Sequence, residues 1–193
     1  MIARRLHFLA LGLLLALAAC TTNPPTRHLP EMTFSNLQPI QLDVGRIEIV
    51  SEYQPPGRAP HIEAEMPVAP DNAVRRWVQD RLRPVGREGT VRVVIRDAQA
   101  TETPLATSNS LFTREQAARI DMSVDVAIQV LDERQFVVAE ATGRAARSRT
   151  LPEGIKLNAR DQILYDMVEG MMKRFNDEID PGIRSSLSSY IVY

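Results

Sequence analysis

Cysteine is almost absent from this sequence: Cys20 is the only one in 193 residues. An intrachain disulfide is therefore excluded, and the fold has to be stabilised by a hydrophobic core. Histidine is nearly as scarce, and the two histidines beyond the first 19 residues, His28 and His61, do not have the spacing of a metal site such as HExxH. No GxxxxGKS/T or GxGxxG segment occurs. The sequence thus indicates neither metal nor histidine-base catalysis nor nucleotide binding, and no cofactor is expected.

Residues that suit other catalytic chemistry are present, but not in catalytic patterns. Asp121 and Asp125 flank Ser123 on one face of a predicted strand, where they could gather a cation or act as a carboxylate pair, although a solvated sheet face is the favoured interpretation. No serine lies in a GxSxG setting. We expect no catalytic residue and no metal ligand, and we interpret four late serines as polar surface: Ser185, Ser186, Ser188 and Ser189.

An excess of positive charge is also lacking, with 23 Lys and Arg against 24 Asp and Glu. Without Arg4 and Arg5 the remaining chain carries a net charge near −3, which disfavours a nucleic-acid-binding protein. Arginines are nevertheless concentrated in two parts of the sequence. Each group could bind anionic headgroups, lipopolysaccharide or an acidic protein surface, but the favoured interpretation is an ordinary surface of mixed charge. The two groups are Arg75, Arg76, Arg81, Arg83 and Arg87 around the first helix, and Arg144, Arg147 and Arg149 late in the fourth strand.

The first twenty residues contain an uncharged apolar run of 12 residues, Phe8 to Ala19, behind Arg4 and Arg5. A membrane-spanning helix needs about 20 such residues, so the pattern is typical of a secretory signal peptide, residues 1–19. The run ends in Leu17-Ala18-Ala19-Cys20, which resembles the lipobox of bacterial lipoproteins. That resemblance implies a diacylglycerol on the Cys20 thiol and a new amino terminus that is acylated, commonly with palmitate.

Lipidation would also account for the unpaired thiol, which is a liability in an oxidising compartment; the alternative is an ordinary cleavage site that leaves Cys20 free. Each buried methylene contributes about 0.8 kcal/mol, so two or three acyl chains anchor a protein stably in a membrane. By resemblance to enteric lipoproteins, Thr21 after the cysteine implies the periplasmic face of the outer membrane. The inner membrane is the alternative.

Composition divides the rest of the chain into a tether and one domain. Residues 20–40 hold Cys20 and a predicted flexible tether, which contains several prolines and few apolar residues in its first half. Residues 41–193 have the length and apolar content of a single domain. The export signal predicts that this domain is periplasmic.

Hydrophobic spacing predicts four strands and two helices in this domain. The clearest strand covers residues 119–131, where every second residue is apolar, and it should pair with residues 136–149 as an antiparallel hairpin. Two further strands are predicted at residues 41–50, with a bulge at Gly45, and 90–98. One helix is predicted at 72–83 with an Asp71 or Asn72 cap, and a long one is capped by Asn158 and ended or kinked by Pro181-Gly182.

We therefore predict an α+β fold, a four-stranded mainly antiparallel sheet with two helices on one face, in the order β-α-β-β-β-α. Trp77 should be buried between the first helix and the sheet, and Met171 and Met172 are expected in the core. The small residues of the fourth strand suit a helix that packs closely against it: Ala139, Ala141, Gly143 and Ala145. The proline-rich loop from Tyr53 to Pro70 is long enough to be functional or mobile.

The anchor, tether and element order resemble the accessory lipoproteins of Gram-negative envelope lipid transport, of the ABC-transport auxiliary or lipopolysaccharide-assembly type. The resemblance lies in the order of elements over most of the mature chain. It includes no specific motif apart from the lipobox, so no binding residue can be assigned from it. It implies a non-enzymatic accessory or scaffold subunit that contacts the membrane through lipidated Cys20 and binds another envelope protein. The alternative is a carrier of lipid or another hydrophobic ligand, with a cavity between sheet and helices.

Overall fold

The computed structural model describes residues 29–106 and 116–193. Cys20, His28 and the predicted signal peptide lie outside the described residues. No helix in the described ranges is both long enough and apolar enough to span a membrane. These ranges contain two α-helices, α1 (Pro70–Arg81) and α2 (Leu157–Ser186), and eight strands: β1 (Ile40–Leu42), β2 (Arg46–Ser51), β3 (Leu82–Pro84), β4 (Thr90–Asp97), β5 (Ala100–Pro104), β6 (Gln116–Leu131), β7 (Val137–Pro152) and β8 (Ile191–Val192).

The larger sheet is built around β6. Along one edge β6 pairs antiparallel with two strands, with β4 over residues 125–131 and with β5 over residues 118–122. Along its other edge β6 pairs antiparallel with β7. Strand β2 lies parallel to β4 at the opposite edge. The α+β class and the two helices agree with the prediction, but the sheet has five strands instead of four. The fifth, β5, has the polar sequence ATETP, and its pairing with Ala118–Met122 of β6 makes it a strand.

A second, three-stranded sheet was not predicted, and it divides the expected strand 41–50 into two. Strand β1 pairs with β3 in parallel and with β8 antiparallel, whereas β2 belongs to the larger sheet. The chain turns between them, because the amide of Val44 bonds to the carbonyl of Leu42 over 2.8 Å. Gly45 lies so close to the Arg87 carbonyl oxygen that a Cβ would be 2.7 Å from it. The glycine predicted to mark a bulge instead permits this close approach between the β1–β2 and β3–β4 connections.

The helices begin and end differently from their predicted boundaries. Neither Asp71 nor Asn72 caps α1: the N-cap is Ala69, with Pro70 at the first helical position. Likewise α2 begins after Lys156 and has no side-chain cap. Helix α2 also continues through Pro181-Gly182 to Ser186, because the buried side chains of Ile179 and Ile183 keep this last part packed on the sheet. Packing here outweighs the hydrogen bond that proline removes.

Both helices contribute to one core with the inner face of the larger sheet. Alternate residues of β6 are buried there, as their spacing predicted: Ile120, Met122, Val124, Val126, Ile128 and Val130. The small residues of β7 allow close contact with α2, since a Cβ on Gly143 would lie 2.6 Å from Cβ of Ile179. Trp77, Met171 and Met172 are fully buried, which confirms the predictions for these side chains.

The domain also begins earlier in the chain than expected. Met32 and Phe34 are buried in the core, although the predicted tether extends to residue 40. The Asp80 carboxylate of α1 accepts hydrogen bonds from the Phe34 amide (2.7 Å) and the Thr33 hydroxyl (2.9 Å). Arg76 of the same helix binds Glu31 over 2.6 Å. Residues 31–40 are therefore held against the domain, and the tether is correspondingly shorter.

Candidate functional site

Three consecutive apolar residues are exposed where the β6–β7 hairpin turns. Phe136 is 66% exposed, Val137 48% and Val138 51%. We call residues 136–138 the hairpin tip. Hydrophobic spacing predicts a strand from residue 136 onwards, but it does not reveal that the fold leaves these three side chains exposed. Their exposure in the fold makes the hairpin tip a candidate contact surface.

The hairpin tip is held by a closed hydrogen-bond arrangement within the turn. The Asp132 amide donates to the Phe136 carbonyl over 2.9 Å, and the Asp132 carboxylate accepts from the amides of Arg134 (2.9 Å) and Phe136 (2.8 Å). Gln135 takes a left-handed conformation with a φ of 67°, and its amide bonds to the Asp132 carbonyl. Since Asp132 organises the turn, Phe136 is presented from a defined backbone.

A surface cavity of about 470 Å³ adjoins the hairpin tip. Val138 forms part of its wall, together with Tyr190, which lies just before β8. Four acidic residues and one arginine also line it: Asp43, Glu88, Asp132, Glu133 and Arg134. This end of the domain thus combines an apolar projection with a depression bordered by carboxylates, and an apolar patch with a polar border is the arrangement found in protein interfaces.

A buried polar cluster holds the proline-rich loop in place at another point of the fold. The Glu63 carboxylate oxygen Oε1 accepts hydrogen bonds from the Tyr53 hydroxyl (2.6 Å) and the Ala100 amide (2.9 Å). His61 Nδ1 lies 3.1 Å from the same oxygen. Sequence spacing does not reveal this cluster, since its members lie in a loop without periodicity. The loop predicted to be functional or mobile is attached to β5 through Glu63.

Electrostatics in this cluster favour a charged carboxylate. Burial acts to raise the pKa of Glu63, but the hydrogen bonds from Tyr53, the Ala100 amide and His61 outweigh it, and the pKa lies below its usual value of 4.5. Burial, together with the hydrogen bond to Glu63 and its negative charge, raises the pKa of Tyr53. Glu63 is therefore a weak base whose lone pairs are engaged, which suits a structural role better than proton transfer.

Most arginines of the first predicted group bind acidic groups of the domain itself. Arg75 pairs with Asp71 over 2.6 Å, and Arg76 with Glu31. Arg81 is buried and bridges the helices, binding Asn176 and Asp180 of α2. Arg83 and Arg87 form no ion pair with the described residues. The five residues do not converge on one anion site.

The second group of arginines lies along β7, and its members differ in their contacts. Arg144 donates from Nε to Asp125 over 2.6 Å on the outer face of the sheet. Arg147 extends over α2, with its guanidinium at Gly170. Within the described ranges Arg147 and Arg149 form neither an ion pair nor a side-chain hydrogen bond.

The predicted carboxylate pair is divided among other partners. Asp121 binds Arg119 over 2.8 Å, Asp125 binds Arg144, and Ser123 donates to Asp97. In the described part of the chain, no group of three or more His, Cys, Asp or Glu residues could hold a metal ion. The late serines lie at the end of α2 and beyond, where the Ser185 hydroxyl donates to the Gly182 carbonyl over 3.1 Å.

Comparisons with known proteins give little information. No family model matches the chain, and no curated protein matches it. Among solved structures, the chain is similar to the solution NMR structure of an uncharacterized lipoprotein B from Nitrosomonas europaea. The two are 18% identical, the match covers 76% of this chain and 85% of that chain, and the TM-score is 0.35. This likeness is too distant to show a shared fold or a shared function.

Proposed function

We propose that this chain is a lipoprotein, anchored through Cys20 in the periplasmic leaflet of the outer membrane, and a non-enzymatic accessory or scaffold subunit of an envelope transport or assembly system. The signal peptide and the lipobox-like Leu17-Ala18-Ala19-Cys20 support the anchor. Exposure of the hairpin tip is the observation that carries the accessory role.

The hairpin tip is an unusual place for three apolar side chains in a soluble domain. A hairpin turn normally carries polar residues, and exposed apolar residues cluster mainly where a partner or a membrane covers them. The turn is held by Asp132, so the apolar surface does not result from a loose end of the chain. An apolar anchor on a defined backbone, bordered by polar groups, is the usual arrangement of a protein interface, in which a polar rim surrounds an apolar centre.

The packing of the interior supports a scaffold over the alternative, a lipid carrier. A carrier needs an apolar cavity between sheet and helices, but large side chains occupy this layer and are fully buried there. They include Trp77, Phe175, Met167, Met171 and Ile179. Organic extraction of the purified protein followed by mass spectrometry tests this point, and a lipid recovered in stoichiometric amount would contradict the scaffold role.

The short tether bears on where the partner lies. Since residues 31–40 are packed on the domain, only residues 20–30 remain to connect it to the lipid. Fully extended, these residues reach about 40 Å at most. A partner bound to the hairpin tip would therefore be a protein at the membrane surface, such as a transporter or an outer-membrane barrel.

Photo-cross-linking in living cells tests the accessory role. A benzoylphenylalanine at position 136 should give a discrete adduct with an envelope protein, and the adduct should be lost in the Cys20→Ala variant. Leu157, 68% exposed at the start of α2, provides a matched control because it is as exposed but lies beyond the far end of β7. Equal adducts from both positions, or none from position 136, would contradict docking through the hairpin tip.

The lipid anchor has a separate test. Mass spectrometry of the amino-terminal peptide from the membrane fraction should find acylated Cys20 and no residue before it, and membrane fractionation should place the protein with the outer membrane. An unmodified thiol at Cys20 would remove the lipoprotein assignment, whereas recovery with the inner membrane would correct only the location.

A further inference from the structure

We propose that the open edge of β7 binds an extended acidic segment of the partner protein, which adds to the sheet as a further strand and places carboxylates on Arg147 and Arg149. The inference rests on the proposed function in one respect, namely that a protein partner exists. It names a second contact surface and the chemistry of the segment that fits it.

Strand β7 presents a long unpaired backbone edge. It is 16 residues long and pairs with β6 along one side, while no other described strand pairs with its second side. Residues 146–150 are all exposed. Free amide and carbonyl groups in such a row are a template for an incoming strand, and β-strand addition is a common way to bind an extended peptide.

Charge along this edge favours an acidic occupant. Other arginines of the sheet are neutralised within the domain, such as Arg96 by Glu140 and Arg144 by Asp125. Arg147 and Arg149 form no ion pair with the described residues, and their alternation in β7 places them on the same face, roughly 7 Å apart along the strand. An added strand with acidic residues two positions apart would match this spacing.

Gly170 leaves room for the Arg147 guanidinium on the surface of α2. Glycine is among the poorest helix formers, yet Gly170 lies in the middle of α2. A Cβ at this position would overlap the Arg147 guanidinium, so the missing side chain provides the space in which the guanidinium lies.

The backbone edge distinguishes a peptide from an anionic lipid surface. Headgroups could neutralise the two arginines, but they could not pair with a row of amides and carbonyls. A peptide does both, and guanidinium-carboxylate pairs are strong and directional because two parallel hydrogen bonds form. The structure therefore favours the peptide.

Fluorescence anisotropy with the full-length protein in detergent micelles tests the proposal. The probe is a labelled peptide of sequence Ser-Thr-Val-Glu-Thr-Glu-Val-Thr, and the same peptide with both Glu replaced by Gln is its control. The acidic peptide should bind at least about tenfold more tightly than the control, and Arg147→Gln with Arg149→Gln should abolish that difference. Arg119→Gln, which removes an arginine already paired with Asp121, should change the affinity less than twofold.

Gly170→Ala provides a variant in which both arginines remain. The added methyl group displaces the Arg147 guanidinium while it improves helix propensity, so thermal stability should be retained and binding of the acidic peptide should fall several-fold. Hydrogen exchange should show that amides in residues 144–150 become protected when the peptide binds to the wild-type protein.

Equal affinity for the acidic and neutral peptides would overturn the proposal, as would binding that leaves the β7 amides unprotected. Phosphatidylglycerol vesicles serve as a second probe. If they bind through the same arginines and the acidic peptide does not, the surface contacts lipid and the proposal fails. Either result would leave cross-linking from Phe136 unaffected, so failure here is distinguishable from failure of the accessory role.

Discussion

The indole ring of Trp77 in α1 contacts the ring of Phe175 in α2 edge to face, with centroids 5.1 Å apart and planes inclined by 76°. The indole nitrogen donates a hydrogen bond to the next residue of α2, Asn176, over 3.1 Å. One side chain of α1 is thereby attached to two successive residues of α2. Because both helices also pack on the sheet, this contact lies where the three parts of the core meet.

Replacing Trp77 tests the importance of this contact. Trp77→Ala should lower the free energy of unfolding by about 3–5 kcal/mol, because it removes a fully buried ring and leaves a cavity. Denaturant unfolding measures the change. Tyr193→Ala serves as control, since Tyr193 is 94% exposed and should contribute less than about 0.5 kcal/mol. A loss below about 1 kcal/mol for Trp77→Ala would show that the ring is not buried as described.

Two arginines that share one carboxylate should differ strongly in their effects. Arg81 is almost fully buried and binds Asp180 and Asn176, whereas Arg184 is partly exposed and binds Asp180 over 2.6 Å. Arg81→Ala should cost about 2–3 kcal/mol because it removes a buried, charged hydrogen-bond donor that links the two helices, while Asp180 keeps Arg184 and Asn176 keeps the indole of Trp77. Arg184→Ala should cost at most about 1 kcal/mol, as is usual for an exposed pair. Similar losses in urea unfolding for the two variants would contradict this assignment.

Gly143 should not tolerate even a methyl group. In Gly143→Ala the new Cβ would lie 2.6 Å from Cβ of Ile179, so β7 and α2 would have to move apart. Overpacking of this kind costs about 1–3 kcal/mol, which thermal unfolding detects. Thr142→Ala changes the neighbouring residue on the exposed face and should be nearly neutral. A Gly143→Ala protein as stable as the wild type would mean that α2 does not approach β7 as closely as described.

Acid should weaken the attachment of the proline-rich loop through Glu63. The folded-state pKa of Glu63 is lower than 4.5, its usual value, so the charged carboxylate stabilises the fold above that pH, and this contribution is lost as the pH falls through the folded-state pKa. At pH 7, Glu63→Gln should cost about 1–3 kcal/mol because the buried hydrogen bonds lose their charged acceptor.

Urea unfolding at a series of pH values from 7 downwards measures this dependence. The difference between wild type and Glu63→Gln should shrink as the pH falls through the folded-state pKa of Glu63, because the Glu63 side chain then loses its charge. Glu133→Gln is the control, since this residue lies exposed in the hairpin turn. A difference that stays constant across the range would show that the charge of Glu63 does not stabilise the fold.

Local patterns in the sequence determined several features of the fold. The alternation in β6 identifies both the strand and its buried face, because successive side chains of a strand point to opposite sides. The spacing of Val74, Trp77 and Val78 similarly identifies α1 and its buried face. For α1, β4, β6 and β7 the predicted boundaries were accurate to within about three residues, whereas the predicted strand 41–50 was divided between two sheets. The signal peptide and lipobox-like sequence likewise depend only on residues that are adjacent in the chain.

Tertiary structure decided the features that depend on distant partners. Strand β5 has only short or polar side chains and no apolar alternation, and β1, β3 and β8 are two or three residues long, so pairing alone makes them strands. Helix α2 passes Pro181 because the sheet holds its last part. The predicted lipid anchor at Cys20 follows from neighbouring residues in the chain, whereas the candidate contact surfaces depend on the tertiary structure. Whether Phe136 is exposed, and whether Arg147 finds space at Gly170, depends on what the folded chain places beside them, and no local pattern contains that information.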